Sequence, residues 1–201
     1  MLGAYAVEAF YKLLKGYEFH TVLDVGCGEY AKHSKHFYEH GKAVTAVDLN
    51  PPAAPFRVIK ANYMELDLPE IFDCVWLSHV LEHQLDTQSF LKRVAGNLKE
   101  GGILVVTVPP LKHPIVGGHV SLWNMGLLVY RLILAGFDCR KAIGKKYGYN
   151  ISVIVPKTSI QIDWPSLSFD FGDIEKLSKY FPEGKEWKQG FWGDVDSISW
   201  S

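Results

Sequence analysis

The chain has almost no net charge, and this argues against two classes of partner. Its 21 Lys and Arg residues nearly balance its 22 Asp and Glu residues. A protein that binds nucleic acid or an anionic membrane over a broad surface carries a basic excess, because phosphate groups attract it. We therefore expect no partner of either kind, with a local basic patch as the remaining alternative.

Long apolar runs are also absent. The most apolar segment, residues 125–137, is interrupted by Arg131 and falls short of the roughly 20 residues that a membrane span needs. Residues 1–20 carry charged side chains among apolar ones at helical spacing, which predicts an amphipathic helix and not a signal peptide. We therefore expect neither a membrane span nor a cleaved leader.

Cysteine is scarce. Cys27, Cys74 and Cys139 are odd in number and lie far apart, and two of them fall in apolar runs where a small buried thiol is usual. A disulfide framework is therefore not expected. A reducing compartment follows, and we predict a cytoplasmic protein.

The sequence does contain a regular alternation of short β-branched runs with longer helical patterns. This alternation is typical of a parallel sheet covered by helices on both faces. The predicted strands are residues 21–27, 43–49, 57–61, 72–78, 103–108, 137–146 and 150–155. The predicted helices between them are residues 30–40, 88–99 and 122–135. The last two strands are close enough to predict an antiparallel hairpin.

The pattern changes at residue 157 to a tail that is rich in aromatic residues. Trp164, Trp187, Trp192 and Trp200 are separated there by Pro, Gly and acidic residues. We predict one α/β domain over residues 1–156, including the N-terminal helix, and an extension over residues 157–201. The extension packs on that domain or on a partner, and a homo-oligomer stays open.

A glycine loop follows the first strand, at the sheet edge where open parallel sheets bind ligands. It contains Asp24, Gly26, Cys27 and Gly28, and its glycines let the backbone turn tightly and approach a ligand closely. Gly26, Gly28 and Ala31 also fit the G-x-G-x-x-G/A pattern of dinucleotide-binding proteins, in which a pyrophosphate sits at the helix N-terminus. The loop alone does not choose between cofactors.

Charge separates the two cofactors. Asp24 and Glu29 flank the loop. Two carboxylates oppose a dianionic pyrophosphate but attract the ammonium and the sulfonium of S-adenosylmethionine. The sequence therefore favours S-adenosylmethionine over NAD.

The next two strand ends carry further candidates for cofactor binding. Asp48, with Leu49 beside it, lies about twenty residues beyond Gly28, where an acidic side chain accepts hydrogen bonds from ribose hydroxyls. Both cofactors would use it. Asn62 and Tyr63 follow the third strand, where an amide and an aromatic face can hold an adenine. Turn and packing residues are equally usual at that position.

Three sequence blocks carry a resemblance to a known family. They read VLDVGCG at residues 22–28, FDCVWLSHVLEH at residues 72–83 and LKEGGILVVTVP at residues 98–109. In this order and spacing they closely resemble the class I S-adenosylmethionine-dependent methyltransferases, over roughly residues 20–156. The resemblance implies an α/β, Rossmann-like, doubly wound sheet of seven strands, mostly parallel with an antiparallel last hairpin.

The resemblance also implies where the cofactor binds. The glycine loop would surround the methionine part, the second strand end the ribose, the third the adenine, and the fourth the methyl group. The implied residues are Asp24, Gly26, Cys27, Gly28, Asp48, Leu49, Asn62, Tyr63, Ser78 and His79.

Two groups of histidines raise the question of a metal. His79 and His83 match the H-x-x-E-H signature of a class of zinc peptidases. The surrounding methyltransferase blocks already explain that stretch, so no metal is predicted. His33, His36 and His40 share one face of the first helix after the glycine loop, where a solvated face is expected.

A long loop follows the fifth strand, over residues 111–124, and loops of this length are often functional. His119 and Trp123 offer a titratable group and an aromatic wall for an acceptor, although a capping or core histidine is equally usual. A hydroxyl acceptor needs a base, and neutral histidine is a natural one. His119 is the first candidate, and His79 or His83 the second.

The sequence thus predicts a methyltransferase that O-methylates a small polar acceptor. A sugar or sugar nucleotide is favoured because residues 117–123 resemble small bacterial methyltransferases of cell-surface sugar and natural-product pathways. An amine acceptor needs no base and stays open. Two alternatives are an NAD-dependent enzyme and an inactive relative that keeps the cofactor and acts as a partner subunit.

Overall fold

The computed structural model describes residues 5–201, and its elements alternate as the sequence predicts. The helices are α1 Val7–Gly16, α2 Lys32–Glu39, α3 Thr87–Asn97, α4 Met125–Leu134 and α5 Asp173–Leu177. The strands are β1 Thr21–Val25, β2 Ala43–Asp48, β3 Arg57–Lys60, β4 Phe72–Ser78, β5 Leu98–Val108, β6 Ile143–Tyr147, β7 Asn150–Pro156 and β8 Ser197–Ile198. Single turns of 3-10 helix lie at Leu81–His83, Trp164–Ser166 and Ser178–Tyr180.

The strands form one sheet in the order β3-β2-β1-β4-β5-β7-β6-β8. The pairs from β3 to β5 are parallel, and β7, β6 and β8 are antiparallel to their neighbours. This confirms the Rossmann-like, mostly parallel sheet with an antiparallel hairpin. The predicted count of seven strands is wrong, because β8 pairs with β6 at the edge. A two-residue strand is too short for an apolar pattern to reveal it.

Alternate residues of the central strands enter two different cores. Leu23 of β1 and Leu77 of β4 belong to one apolar cluster, while Val22 and Trp76 belong to the other. Successive side chains of a strand point to opposite faces, so a strand that is buried on both sides must be apolar throughout. The resulting rigid sheet holds the ends of its strands in fixed positions.

The N-terminal helix is confirmed within the described residues; residues 1–4 of the predicted segment lie outside them. Phe10 of α1 is buried against Phe37 of α2 and Trp76 of β4. The expected solvated face of α2 is wrong for His33, whose ring lies 5.0 Å from that of Trp76. Burial there lowers the pKa of His33 to about 4.

Two other predicted boundaries are wrong for physical reasons. The helix predicted to residue 99 ends at Asn97, because Leu98 already pairs with Phe72 in the sheet. The strand predicted over residues 137–146 is shortened to β6, because Asp138 turns the chain by accepting the Arg140 backbone N–H at 3.0 Å.

The C-terminal tail packs on the sheet domain. Leu167, Leu177, Phe181 and Trp187 are buried in the same cluster as Leu128 of α4. The three cysteines are free. Over residues 5–201, none of the helices has the length and apolar character to cross a membrane.

Candidate active site

A cleft of about 670 Å³ opens at the carboxyl ends of β1, β2, β3 and β4. This volume is in the range usual for small-molecule sites. From β1 the chain proceeds to β2 and β3 on one side of the sheet and then crosses to β4 on the other. The cleft therefore lies at the point where strand order reverses, the usual binding position in such sheets.

Most of the predicted cofactor residues line this cleft, but three do not. Those lining it are Gly26, Gly28, Asp48, Leu49, Asn62, Tyr63 and His79. Asp24 is buried at the end of β1, Cys27 is half-buried, and Ser78 is half-buried at the end of β4. The structure also brings His83 to the same cleft.

The glycine loop needs glycine at Gly26 for two reasons. Its φ of +75° is in the left-handed region, which side chains disfavour. A Cβ built on Gly26 would lie 2.7 Å from Cγ2 of Val80, so the loop and the segment after β4 are in direct contact. Gly28 also has a positive φ, of +72°, but a Cβ there would meet open space. The loop thus leaves space for a ligand beside Gly28.

Asp48 fixes the loop from the opposite strand end. Its Oδ2 accepts the Gly28 backbone N–H at 2.8 Å, and its Oδ1 accepts the Asn50 backbone N–H at 2.9 Å. An ionised carboxylate has about four acceptor positions. Asp48 is half-buried and lines the cleft, so its remaining positions can accept hydroxyl groups of a ligand.

Asp24 supports the loop from below. The Ser34 hydroxyl donates to its Oδ2 at 2.5 Å, and the side chain is fully enclosed. Burial raises the pKa of Asp24 to about 7, and the negative charge of Asp48 acts in the same direction. Asp24 is therefore a carboxyl group that a nearby positive charge would ionise.

Cys27 turns its thiol away from the cleft. The Sγ atom lies 3.6 Å from the Gly28 carbonyl oxygen and packs beside the apolar cluster under α1. Burial, assisted by the charges of Asp24 and Asp48, raises the pKa of this thiol to about 12. Only the backbone of Cys27 is available to shape the loop.

The residues after β3 line the cleft and also have structural roles. Asn62 closes a turn, because its Oδ1 accepts the Met64 backbone N–H at 3.1 Å. The hydroxyl of Tyr63 donates to Asn97 Oδ1 at 2.8 Å, and its ring packs edge-on against Phe90. The sequence analysis gave such turn and packing roles as the alternative to adenine binding.

Several cleft residues were missed by the sequence interpretation. Met64, Val80, Gln84, Leu85 and Asp86 line the cleft. Leu85 is 91% exposed and Leu49 is 63% exposed, so two apolar side chains stand free at its mouth. The missed signal is Asp86, whose Oδ1 accepts the Ser89 N–H and so caps α3. Residues 79–86 lie between β4 and that helix, and so at the edge of the sheet where ligands bind.

The charge of the cleft fits a cation. The described residues that line it include two carboxylates, Asp48 and Asp86, and two histidines, His79 and His83, but no Lys or Arg. A pyrophosphate would find carboxylates and no cation to pair with. The acidic lining of the cleft therefore suits a nucleoside that has no phosphate and carries positive charge.

The three candidate catalytic histidines converge on Glu82, which is fully buried in the turn after β4. His79 Nδ1 lies 3.3 Å from Glu82 Oε1, and His83 Nε2 lies 3.9 Å from the same atom. The ring of His119 is 4.9 Å from that of His83. His79 has a φ of 55°, a strained position for a residue with a side chain.

The loop over residues 111–124 packs against this end of the sheet. The Val120 backbone N–H donates to the Glu82 carbonyl at 2.9 Å, and Lys112 stands over the ring of Tyr149 at 4.1 Å. His119 and the buried Trp123 border an enclosed space of about 20 Å³ under the loop. That space holds about one water molecule.

Sequence comparisons place the core of the chain among methyltransferases. Residues 23–106 match the family described as methyltransferase domain. A malonyl-[acyl-carrier protein] O-methyltransferase of Salmonella typhimurium is 30% identical over 115 residues, covering 53% of this chain and 45% of that protein. An uncharacterized methyltransferase of Mycobacterium tuberculosis is 33% identical over 116 residues, covering 51% and 57%. The chain thus spans about half the length of the curated relatives it matches.

A solved structure has the same fold. It is the 1,6-didemethyltoxoflavin-N1-methyltransferase of Burkholderia thailandensis, with bound 1,6-didemethyltoxoflavin and S-adenosylhomocysteine. The TM-score is 0.61 at 21% identity, over 75% of this chain and 76% of that one. Residues 23–106 thus match the methyltransferase domain family, and the chain shares its fold with a methyltransferase solved with bound S-adenosylhomocysteine.

Proposed function

We propose that this chain binds S-adenosylmethionine in the cleft and transfers its methyl group to a hydroxyl of a small polar acceptor, with a sugar or sugar nucleotide favoured. The observation that carries the proposal is the charge of the cleft. Its described lining contains Asp48 and Asp86 but neither Lys nor Arg. Carboxylates attract the ammonium and sulfonium groups of this cofactor and repel a pyrophosphate.

Each part of the cofactor has a counterpart in the cleft. The backbone of Gly26 and Gly28 would hold the methionine part, because no side chain blocks it there. Asp48 would accept the ribose hydroxyls with its unused lone pairs. Leu49 and Leu85 would cover the adenine, and burying them would exclude water from the bound cofactor.

The residues at the other end of the cleft would position and activate the acceptor. The bound cofactor supplies an electrophilic methyl group on a sulfonium. The chain has to hold an acceptor oxygen in line with that group and to keep water out. His119 would accept the hydroxyl proton at a ring nitrogen, and His79 and His83 are the second candidates. An amine acceptor would need no such step.

Transfer of a labelled methyl group from S-adenosylmethionine to a panel of small hydroxyl and amine compounds tests this function. We expect a hydroxyl acceptor to be labelled, and His119→Ala to lower kcat by about 100-fold, the usual effect of losing a general base. His113→Ala, in the same loop but outside the histidine cluster, is the matched control. A labelled acceptor with unchanged kcat in His119→Ala would refute the role of His119 alone.

One observation favours a second candidate function, a cofactor-binding partner that does not methylate. The space beside His119 is about 20 Å³, which is too small for an acceptor unless the loop moves. A chain whose loop stays closed would bind the cofactor and label no compound. That outcome, with the cofactor demonstrably bound, would favour the second candidate over the first.

A further inference from the structure

We propose that Glu82, His83 and His119 bind one divalent transition-metal ion of the zinc type. This site goes beyond methyl transfer, and its existence does not depend on the proposed function. The sequence analysis predicted no metal here, because the methyltransferase blocks already explain the stretch around His79 and His83. In the structure the donor atoms of these three residues all lie within 4.8 Å of one another.

The first argument is the carboxylate of Glu82. The side chain is 0% exposed, and neither of its oxygens has a hydrogen-bond partner among the residues that the structure describes. An ionised carboxylate that is buried without donors is costly unless a positive charge accompanies it. Ring nitrogens of His79 and His83 lie 3.3 Å and 3.9 Å from Oε1.

The second argument is the position of the proton on His83. Its Nδ1 lies 2.8 Å from the carbonyl oxygen of Gly118. A carbonyl only accepts, so Nδ1 carries the hydrogen, and in the neutral ring Nε2 carries a lone pair. In that form of the ring, the lone pair of Nε2 lies 3.9 Å from Glu82 Oε1 and can bind a metal ion. Histidines that ligate a metal usually donate their other N–H to a carbonyl or carboxylate in this way.

The third argument is the composition and access of the site. Two histidines and one carboxylate are a donor set that zinc and similar ions prefer, and three protein ligands leave positions open for water or substrate. Donors around one zinc ion stand about 3.3 Å apart. His119 therefore has to move inward slightly, and its exposed loop permits this. The His83 side chain is 44% exposed, which gives an ion a path to the site.

His79 offers the competing explanation for the burial of Glu82. Asn150 Oδ1 accepts the Ala6 backbone N–H at 3.0 Å, so His79 Nε2, also 3.0 Å from that oxygen, must donate to it. A second proton, on His79 Nδ1, would make an ion pair with Glu82 at 3.3 Å. In that case the carboxylate is balanced without a metal. The two explanations differ in whether a metal binds and whether His119 matters for it.

The site lies between the cofactor cleft, which His83 lines, and the small enclosed space, which His119 lines. Under the proposed function, an oxygen atom of the acceptor would complete the coordination of the ion. His119 would then bind the ion instead of accepting the hydroxyl proton, and the ion would itself favour the deprotonated form of the bound oxygen.

Calorimetric titration of Zn²⁺ into full-length protein that has been freed of metal by chelation and dialysis tests the site. We expect one Zn²⁺ per chain, and a loss of affinity of about tenfold or more in His119→Ala and in Glu82→Gln. His113→Ala, an exposed histidine of the same loop, should bind Zn²⁺ like the wild type. Because Glu82 is buried and its variant can fail to fold, His119→Ala is the decisive variant.

Two results would overturn the proposal. The first is wild-type protein that binds no Zn²⁺, which the His79 ion pair would explain. The second is a His119→Ala variant that binds Zn²⁺ with unchanged affinity. S-adenosylmethionine is titrated into the same metal-free sample. Binding of the cofactor without binding of Zn²⁺ refutes the metal site alone. Binding of Zn²⁺ without binding of the cofactor refutes the cofactor assignment alone.

Discussion

Asp48 at the end of β2 accepts the backbone N–H of Gly28, in the loop after β1, at 2.8 Å. This hydrogen bond joins two strand ends that lie next to each other in the sheet but twenty residues apart in the chain. It fixes the glycine loop and orients the carboxylate toward the cleft. The cofactor assignment depends on this pair more than on any other contact.

Asp48→Ala should weaken the binding of S-adenosylmethionine by about 100-fold. It removes one or two hydrogen bonds to a charged acceptor, worth about 1.5–3 kcal/mol each, and frees the loop. Isothermal titration calorimetry measures the change, with the exposed Asp67→Ala as control. Equal affinities for the two variants would contradict the role of Asp48.

Gly26→Ala should destabilise the fold by about 1–3 kcal/mol, because a methyl group there meets Val80 and the positive φ is strained. Gly28→Ala has open space and should cost only the strain, about 1 kcal/mol. Urea unfolding compares the two. Adding Val80→Ala should recover part of the Gly26→Ala loss, and strictly additive effects would argue against the contact.

Cofactor binding should release a proton near neutral pH. Asp24 has a pKa of about 7 in the free protein because it is buried, and a cationic ligand favours its ionised form. Affinity should therefore rise between about pH 6 and pH 8. Titrations in buffers of different ionisation enthalpy count the proton, and Asp24→Asn should abolish the release. Proton uptake in the wild type would contradict this sign.

Asp24 should also affect stability in the absence of cofactor. Its pKa is raised above the unfolded value of 3.8, so its favourable contribution is complete below about pH 4 and is lost as pH rises through about 7. Asp24→Asn should flatten this part of the stability profile. Thermal unfolding of both proteins from pH 4 to pH 8 measures the difference, and parallel profiles would exclude the effect.

We propose that the tail and the sheet domain fold as one unit. Trp187 is 7% exposed, packs against Phe181 and donates its Nε1–H to the Pro182 carbonyl at 2.7 Å. Trp187→Ala should therefore cost about 3–5 kcal/mol. Trp192 is 81% exposed, so Trp192→Ala should change stability by less than about 0.5 kcal/mol. Denaturant unfolding that is equal in both variants would refute the proposal.

The sequence was informative where function depends on local pattern. Gly26, Gly28 and Asp48 follow apolar strands directly, and the rule that parallel sheets bind ligands at their carboxyl ends placed them in one cleft. Side-chain direction is not local in this way. Cys27 lies in the same loop, yet its thiol faces the core beneath α1, because α1 packs there. Nothing in the loop sequence reveals that neighbour.

Contacts between residues that lie far apart in the chain could not be predicted from the sequence either. His83 and His119 are 36 residues apart, and their meeting depends on the loop that Val120 ties to Glu82. The edge strand β8 similarly forms only because the tail returns to β6. Periodicity identifies elements of several residues, whereas contacts of this kind arise from the folded chain as a whole.

Calorimetric titration of wild-type protein with S-adenosylmethionine, S-adenosylhomocysteine and NAD tests the central claim most directly. We predict that the two sulfur-containing nucleosides bind with one equivalent per chain and that NAD produces no binding heat. Binding of NAD with no binding of either nucleoside would contradict the assignment of the cleft.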